Sequence, residues 1–124
     1  VIHISIDQVN VATGDFVSGR VHWTADGVRR PRRIIAAAVW ETAGSGNPRR
    51  GVGRAMQFVP RRDQRDATFP FRLMIPHEGP VTFAGQLLAI VWKVRVRVDQ
   101  VGLDEFAESE FHVEPRKRRH PTPA

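Results

Sequence analysis

The side chains that could act as nucleophiles or bases in this chain are few and poorly spaced for catalysis. The four serines (Ser5, Ser18, Ser45 and Ser109) fall in strand-like runs or a Gly-rich turn, and none sits in a G-x-S-x-G elbow. Gly44-Ser45-Gly46-Asn47 has the small residues of a phosphate cradle. Nothing after it reads as a helix N-terminus, so a hairpin loop is the simpler account. The five histidines (His3, His22, His77, His112 and His120) show neither H-x-H nor H-E-x-x-H spacing. With no cysteine, disulfides and thiolate metal sites are excluded. These residue types point to no catalytic group, no metal and no cofactor, and the expectation is a protein that is not an enzyme.

The carboxylates read as structural. Glu108 and Glu110 alternate on the wet face of one strand, and Arg95 and Arg97 alternate on the wet face of another. Cross-strand pairing of these charges contributes roughly 0.2–1 kcal/mol each. Asp99 and Asp104 are not spaced as an EF-hand loop.

The arginine doublets carry the sharper question. The chain holds 19 Lys+Arg against 13 Asp+Glu, a net charge of +6. Successive connections in a sandwich alternate between its two ends, so 26–33 and 61–66 share one end with the 99–106 loop. That end gathers Arg29, Arg30, Arg32, Arg33, Arg61, Arg62 and Arg65 as candidate anion- or partner-binding residues. Asp63, Asp66, Asp99, Asp104 and Glu105 lie beside them and partly neutralise the patch, while Arg49, Arg50 and Arg116–Arg119 fall at the other end. Such a patch suits acidic peptide, lipid headgroups or nucleic-acid phosphate, or serves as a solvated rim. Nucleic acid and membrane are the weaker choices. Single-strand binders interleave exposed aromatics with their cations, whereas Trp23, Trp40 and Trp92 are expected in the core and the chain has no Tyr.

The elements that position these groups are strands. In Ile90–Asp99, Trp92, Val94, Val96 and Val98 face one way and Lys93, Arg95, Arg97 and Asp99 the other. This is the period of a strand with one buried face. The pattern recurs at Ile2/Ile4/Ile6, Val17/Val21/Trp23, Phe69/Phe71/Leu73/Ile75 and Ala107/Ser109/Phe111/Val113. Ile34–Glu41 is apolar on both faces, the mark of a helix or a doubly covered strand; its Ile and Val content favours strand. Val52–Val59 alternates loosely. Gly, Pro and Asp clusters separate about seven such runs, which predicts two packed antiparallel sheets.

At 124 residues there is room for one domain, expected over 1–114. Residues 115–124, basic and Pro-rich, are expected to be a disordered tail. No apolar run approaches the roughly 18 residues of a membrane span. The first residues form a strand-like run rather than a basic-then-apolar leader, and a chain opening on Val1 suggests trimming or an excised fragment. The absence of cysteine fits a reducing compartment, so a soluble cytoplasmic protein is expected.

Three segments together resemble a known family. Gly14-Asp15-Phe16-Val17-Ser18-Gly19-Arg20-Val21 resembles the opening of arrestin-like domains. Phe69-Pro70-Phe71 with Ile75-Pro76, then Pro80, Phe83 and Gly85, is similar to the family's central segment, and Trp92–Asp99 to the long strand that closes it. The match spans Val1 to about Glu114. Thr13 stands where the family has Pro, and Thr82 where Ser is usual. The superfamily holds arrestins, retromer-type sorting subunits and bacterial sporulation-control proteins, which are non-catalytic adaptors that bind other proteins through strand edges and end loops. The resemblance implies an immunoglobulin-like sandwich of arrestin type and a scaffolding or adaptor role. The family's usual chain has two sandwiches, so a protein partner, a homodimer or a missing second domain is expected.

Overall fold

The computed structural model describes residues 1–25, 27, 31–44, 49–85 and 88–116, without the side chain of Leu88. Among the described residues nine strands follow in order: β1 (Ile2–Ile6), β2 (Asn10–Ala12), β3 (Phe16–Thr24), β4 (Pro31–Gly44), β5 (Arg50–Phe58), β6 (Asp66–Met74), β7 (Phe83–Ala84), β8 (Leu88–Gln100) and β9 (Glu105–Glu114). They form two sheets, β1-β3-β6 and β2-β9-β8-β4-β5, with β7 added to β8. The all-β sandwich expected from alternation is present. The two strands beyond the expected seven are β2 and β7, three and two residues long, too short to show a period. One pairing departs from the antiparallel expectation: β2 runs parallel to β9, with Asn10 opposite His112.

The core lies between the sheets. Val17, Val21, Trp23, Phe69, Phe71 and Leu73 from the smaller sheet, with Ile75 just after β6, meet Ile34, Ala36, Ala38, Trp92, Val94, Val96, Val98, Phe111 and Val113 from the larger, all of them buried. Each large aliphatic or aromatic side chain so enclosed contributes about 1.5–3 kcal/mol. Phe58 of β5 stacks on Phe69 of β6 at 4.8 Å and ties the two sheets together along one side.

Ile34–Glu41 is a strand, as its β-branched content predicts, and runs within β4 between β5 and β8. It is not doubly covered by a further layer of secondary structure among the described residues. Its outward Ile35 and Ala37 are half-buried under long side chains of β8 and β9. The loose alternation of Val52–Val59 also has a cause. The β4–β5 register slips between Ala37 and Val39, so that Gly53 and Arg54 together oppose Ala38. Such a bulge changes the phase of the strand and hides a period of two.

Both departures from the family pattern are used. Thr82 takes the place of Ser, and its hydroxyl accepts the Val113 N–H at 2.8 Å. Thr13 takes the place of Pro, and its hydroxyl accepts the Arg116 N–H at 3.2 Å. The expected tail lies outside the described residues from position 117 onward.

Candidate functional site

Three connections meet at one end of the sandwich. Arg65 donates from Nη2 to the Gly27 carbonyl at 2.8 Å, and the Ala25 N–H donates to the Arg65 carbonyl at 2.7 Å. Arg33 Nε reaches Asp99 Oδ2 at 3.1 Å, which joins the start of β4 to the end of β8. Arg32, Arg61 and Arg62 are exposed at or near this end. Arg29, Arg30 and Asp26 lie outside the described residues. The candidate arginines therefore differ in state. Arg33 is paired, Arg65 holds a carbonyl, and Arg32, Arg61 and Arg62 are in no ion pair among the described residues.

The outer face of the larger sheet carries the cross-strand charges expected, and the structure supplies their register. Arg95 stands opposite Glu108, Lys93 opposite Glu110, and Arg97 opposite Phe106. Lys93 binds Glu41 and Glu108, the latter at 3.0 Å. Arg97 turns to Asp104 at 3.8 Å. The Lys93 ammonium holds the Glu41 carboxyl below its ordinary value of 4.5 by a direct hydrogen bond. The bonds to Glu41 and Glu108 hold Lys93 above its ordinary 10.5. These groups lock β4, β8 and β9 together, and their carboxylates are engaged in that structural role.

Beside this ladder lies an apolar trough of about 340 Å³. Ile35, Ala37, Val39, Val52 and Ala55 form its floor, with Arg95, Arg97 and Phe106 along it. The Arg95 guanidinium sits over the Phe106 ring at 4.6 Å. Its Nε is buried without a hydrogen-bond acceptor among the described residues, since Glu108 Oε1 stands 3.7 Å away. Phe106 itself is 49% exposed. A second exposed ring, Phe16, lies under Arg72 at 3.8 Å. The expectation that no exposed aromatic accompanies the cations is thus corrected. The reason is register: a cation reaches a ring on a neighbouring strand, and no spacing along one strand reveals it.

Among the described residues, the histidines and serines that have partners are engaged in contacts between strands and turns. His3 and His22 are cross-strand neighbours, and His22 Nδ1 bonds the Thr68 hydroxyl at 2.6 Å. Ser18 is engaged with Gln8 and Asp7. Among the described residues, no cluster of three or more His, Asp or Glu could hold a metal ion. Ser45–Pro48 of the Gly-rich turn lie outside them.

One comparison decides the architecture. The structure superposes on Spo0M, the sporulation control protein of Bacillus subtilis, with a TM-score of 0.71 over 93% of this chain at 17% sequence identity. The fold is arrestin-like. At that identity the likeness speaks to fold and not to activity. The chain spans 49% of the Spo0M chain, about half its length. No family model matches the sequence, and no curated protein matches it. Within this arrestin-like sandwich the glycines of the opening motif acquire physical reasons. Gly14 has a φ of +84° and lies under the His77 ring, and Gly19 is pressed against the Ser5 carbonyl and the Phe71 ring. No helix is long and apolar enough to cross a membrane among the described residues.

Proposed function

We propose that this chain is a non-enzymatic protein-interaction domain, folded over residues 1–114 and acting as an adaptor or scaffold in the cytoplasm. The observation that carries this reading is the outer face of the larger sheet. An apolar floor of Ile35, Ala37, Val39, Val52 and Ala55 opens outward beside the half-exposed Phe106, with the Arg95 guanidinium over its ring at 4.6 Å. Apolar surface rimmed by polar groups is the usual form of a protein-binding site. The arrestin-like fold supports the same role by analogy.

Photo-crosslinkers placed singly at His3, Arg54, Arg61 and Phe106 test it in the native cell. A stoichiometric protein partner, whose complex re-forms from purified components, is expected from at least one position. Labelling no stronger than that of an unrelated sandwich at all four positions overturns the reading. Light scattering of the purified chain reports whether that partner is a second copy.

A second reading is favoured by Arg32, Arg61 and Arg62, which are exposed and in no ion pair among the described residues. With Arg29, Arg30, Arg33 and Arg65 they would bind an anionic surface, and affinity would fall steeply with salt. Salt-independent or absent binding to DNA, RNA and anionic vesicles removes it.

A further inference from the structure

The bulge in β5 re-aims one cation. Val52 and Ala55 border the trough on the outer face of the larger sheet. The two residues between them, Gly53 and Arg54, together oppose Ala38 and both turn to the other face. On that face Met56 and Phe58, further along β5, pack against the core. Without the extra residue, simple alternation would put Arg54 outward with Val52. Bulges recur beside ligand sites because they bring a chosen side chain to a face it would not otherwise reach.

The bulge delivers Arg54 to a groove. Its volume is about 600 Å³, within the roughly 300–1,000 Å³ of small-molecule sites. Val52, Gly53 and Arg54 line one wall, and Met74, Pro76, His77 and Glu78 the other. A side chain at position 53 would stand against Pro76 and Trp92, so glycine there keeps the floor open. The second wall is anchored at both ends. Gly14 N–H donates to the Ile75 carbonyl at 2.8 Å and lies under the His77 ring, and the Trp92 indole N–H donates to the Pro80 carbonyl at 2.8 Å. A wall fixed in advance loses little freedom when a ligand binds.

Charge chooses the ligand. Arg54 and Glu78 line one groove with opposite charges, yet neither is in an ion pair among the described residues. On the outer face of the larger sheet, by contrast, Lys93, Arg95 and Arg97 each have a carboxylate. We propose that this groove binds a small zwitterion with an apolar body, of the chemistry shared by amino acids and short peptides with free ends. Its carboxylate pairs with the Arg54 guanidinium, which accommodates a carboxylate through two parallel hydrogen bonds. Its ammonium pairs with Glu78, and its apolar body lies on Val52, Met74 and Pro76. An anion without an ammonium would leave Glu78 facing it, and a cation without a carboxylate would face Arg54. The site is distinct from the trough beside Phe106 and does not depend on the protein-interaction reading.

Amide shifts of the isotopically labelled chain test the proposal. The probes are phenylalanine and a leucyl-phenylalanine dipeptide, with N-acetyl-phenylalanine and phenylalaninamide as ligands that carry one charge each. Saturable shifts are expected at residues 52–54 and 74–78 with at least one probe, and the tighter probe assigns the source as free amino acid or short peptide. Each singly charged ligand is expected to bind about two- to fivefold more weakly, the size of one exposed charge contact. Glycine, without an apolar body, is expected to give no saturable shift. Arg54→Gln should erase the preference for phenylalanine over its amide, and Glu78→Gln the preference over the N-acetyl form. Both side chains are exposed, and unchanged shifts elsewhere confirm that the variants fold. Four results each overturn the proposal: no saturable shift with either probe, shifts centred on the Phe106 trough or the Arg61 end, glycine or singly charged ligands binding as tightly as the probes, or indifference to either substitution.

Discussion

The His77 imidazole packs over Gly14, so close that a methyl group at position 14 would clash with its Cε1 and Nδ1 atoms. Around this contact the Gly14 N–H donates to the Ile75 carbonyl and the Ile75 N–H to the Asp15 carbonyl, both at 2.8 Å. The turn before β3 is thereby sealed to the end of β6. Gly14→Ala is expected to cost about 2 kcal/mol, combining a left-handed backbone with a steric clash. His77→Ala removes the clash but not the backbone strain. The double variant is therefore expected to be more stable than the sum of the two single effects, as a urea double-mutant cycle measures.

Gly19 offers a contrast. Any side chain there meets the Ser5 carbonyl and the Phe71 ring, and the first is backbone that no truncation can remove. Gly19→Ala is expected to cost about 3 kcal/mol. Neither Ser5→Ala nor Ser5→Gly should rescue it. Chemical denaturation compares the three, and hydrogen exchange should show β1 loosening from β3 first.

The Glu41–Lys93–Glu108 cluster predicts how stability responds to pH. Glu41 is held below 4.5 when folded. Its contribution is complete above that pH and is lost as pH falls through the folded-state value. Lys93 is held above 10.5 when folded. Its contribution is complete below that pH and is lost as pH rises through the higher folded-state value. Lys93→Met should lower the neutral-pH melting temperature by about 2–6 °C. It should also flatten both the acid and the alkaline limbs, which calorimetry across pH would show.

Trp92 is wholly buried, and its indole N–H donates to the Pro80 carbonyl at 2.8 Å. Trp92→Phe removes the donor and leaves both a cavity and an unpaired carbonyl, at a cost of about 2–4 kcal/mol. Exchange at Thr82–Ala84 should quicken before the rest of the sheet, because this hydrogen bond tethers the segment that carries β7.

Much of the fold was legible along the chain. Trp92, Val94, Val96 and Val98 face the core as their alternation required, and so do Phe69, Phe71, Leu73 and Ile75. The bulge at Gly53–Arg54 was hidden, because one extra residue exchanges inward for outward and dilutes any period. Phe106 was missed for a related reason. Its importance comes from Arg95 on the neighbouring strand, and its own surroundings in sequence contain no signal of that.

Side-chain direction is a property of the local backbone, so the sequence alone determined the apolar face of the long, regular strands such as Trp92–Val98 and Phe69–Leu73. Tertiary structure decided which strands became neighbours. Arg33 finds Asp99 across 66 positions, β4 enters between β5 and β8, and β5 is left with an open edge. Closing loops of that length costs entropy that varies only slowly with spacing, so local pattern does not discriminate among the possible partners. The choice falls to how the apolar faces pack together. Packing also settles which cations are paired on the outer sheet face, as Lys93 is, and which, like Arg54, remain at its edge.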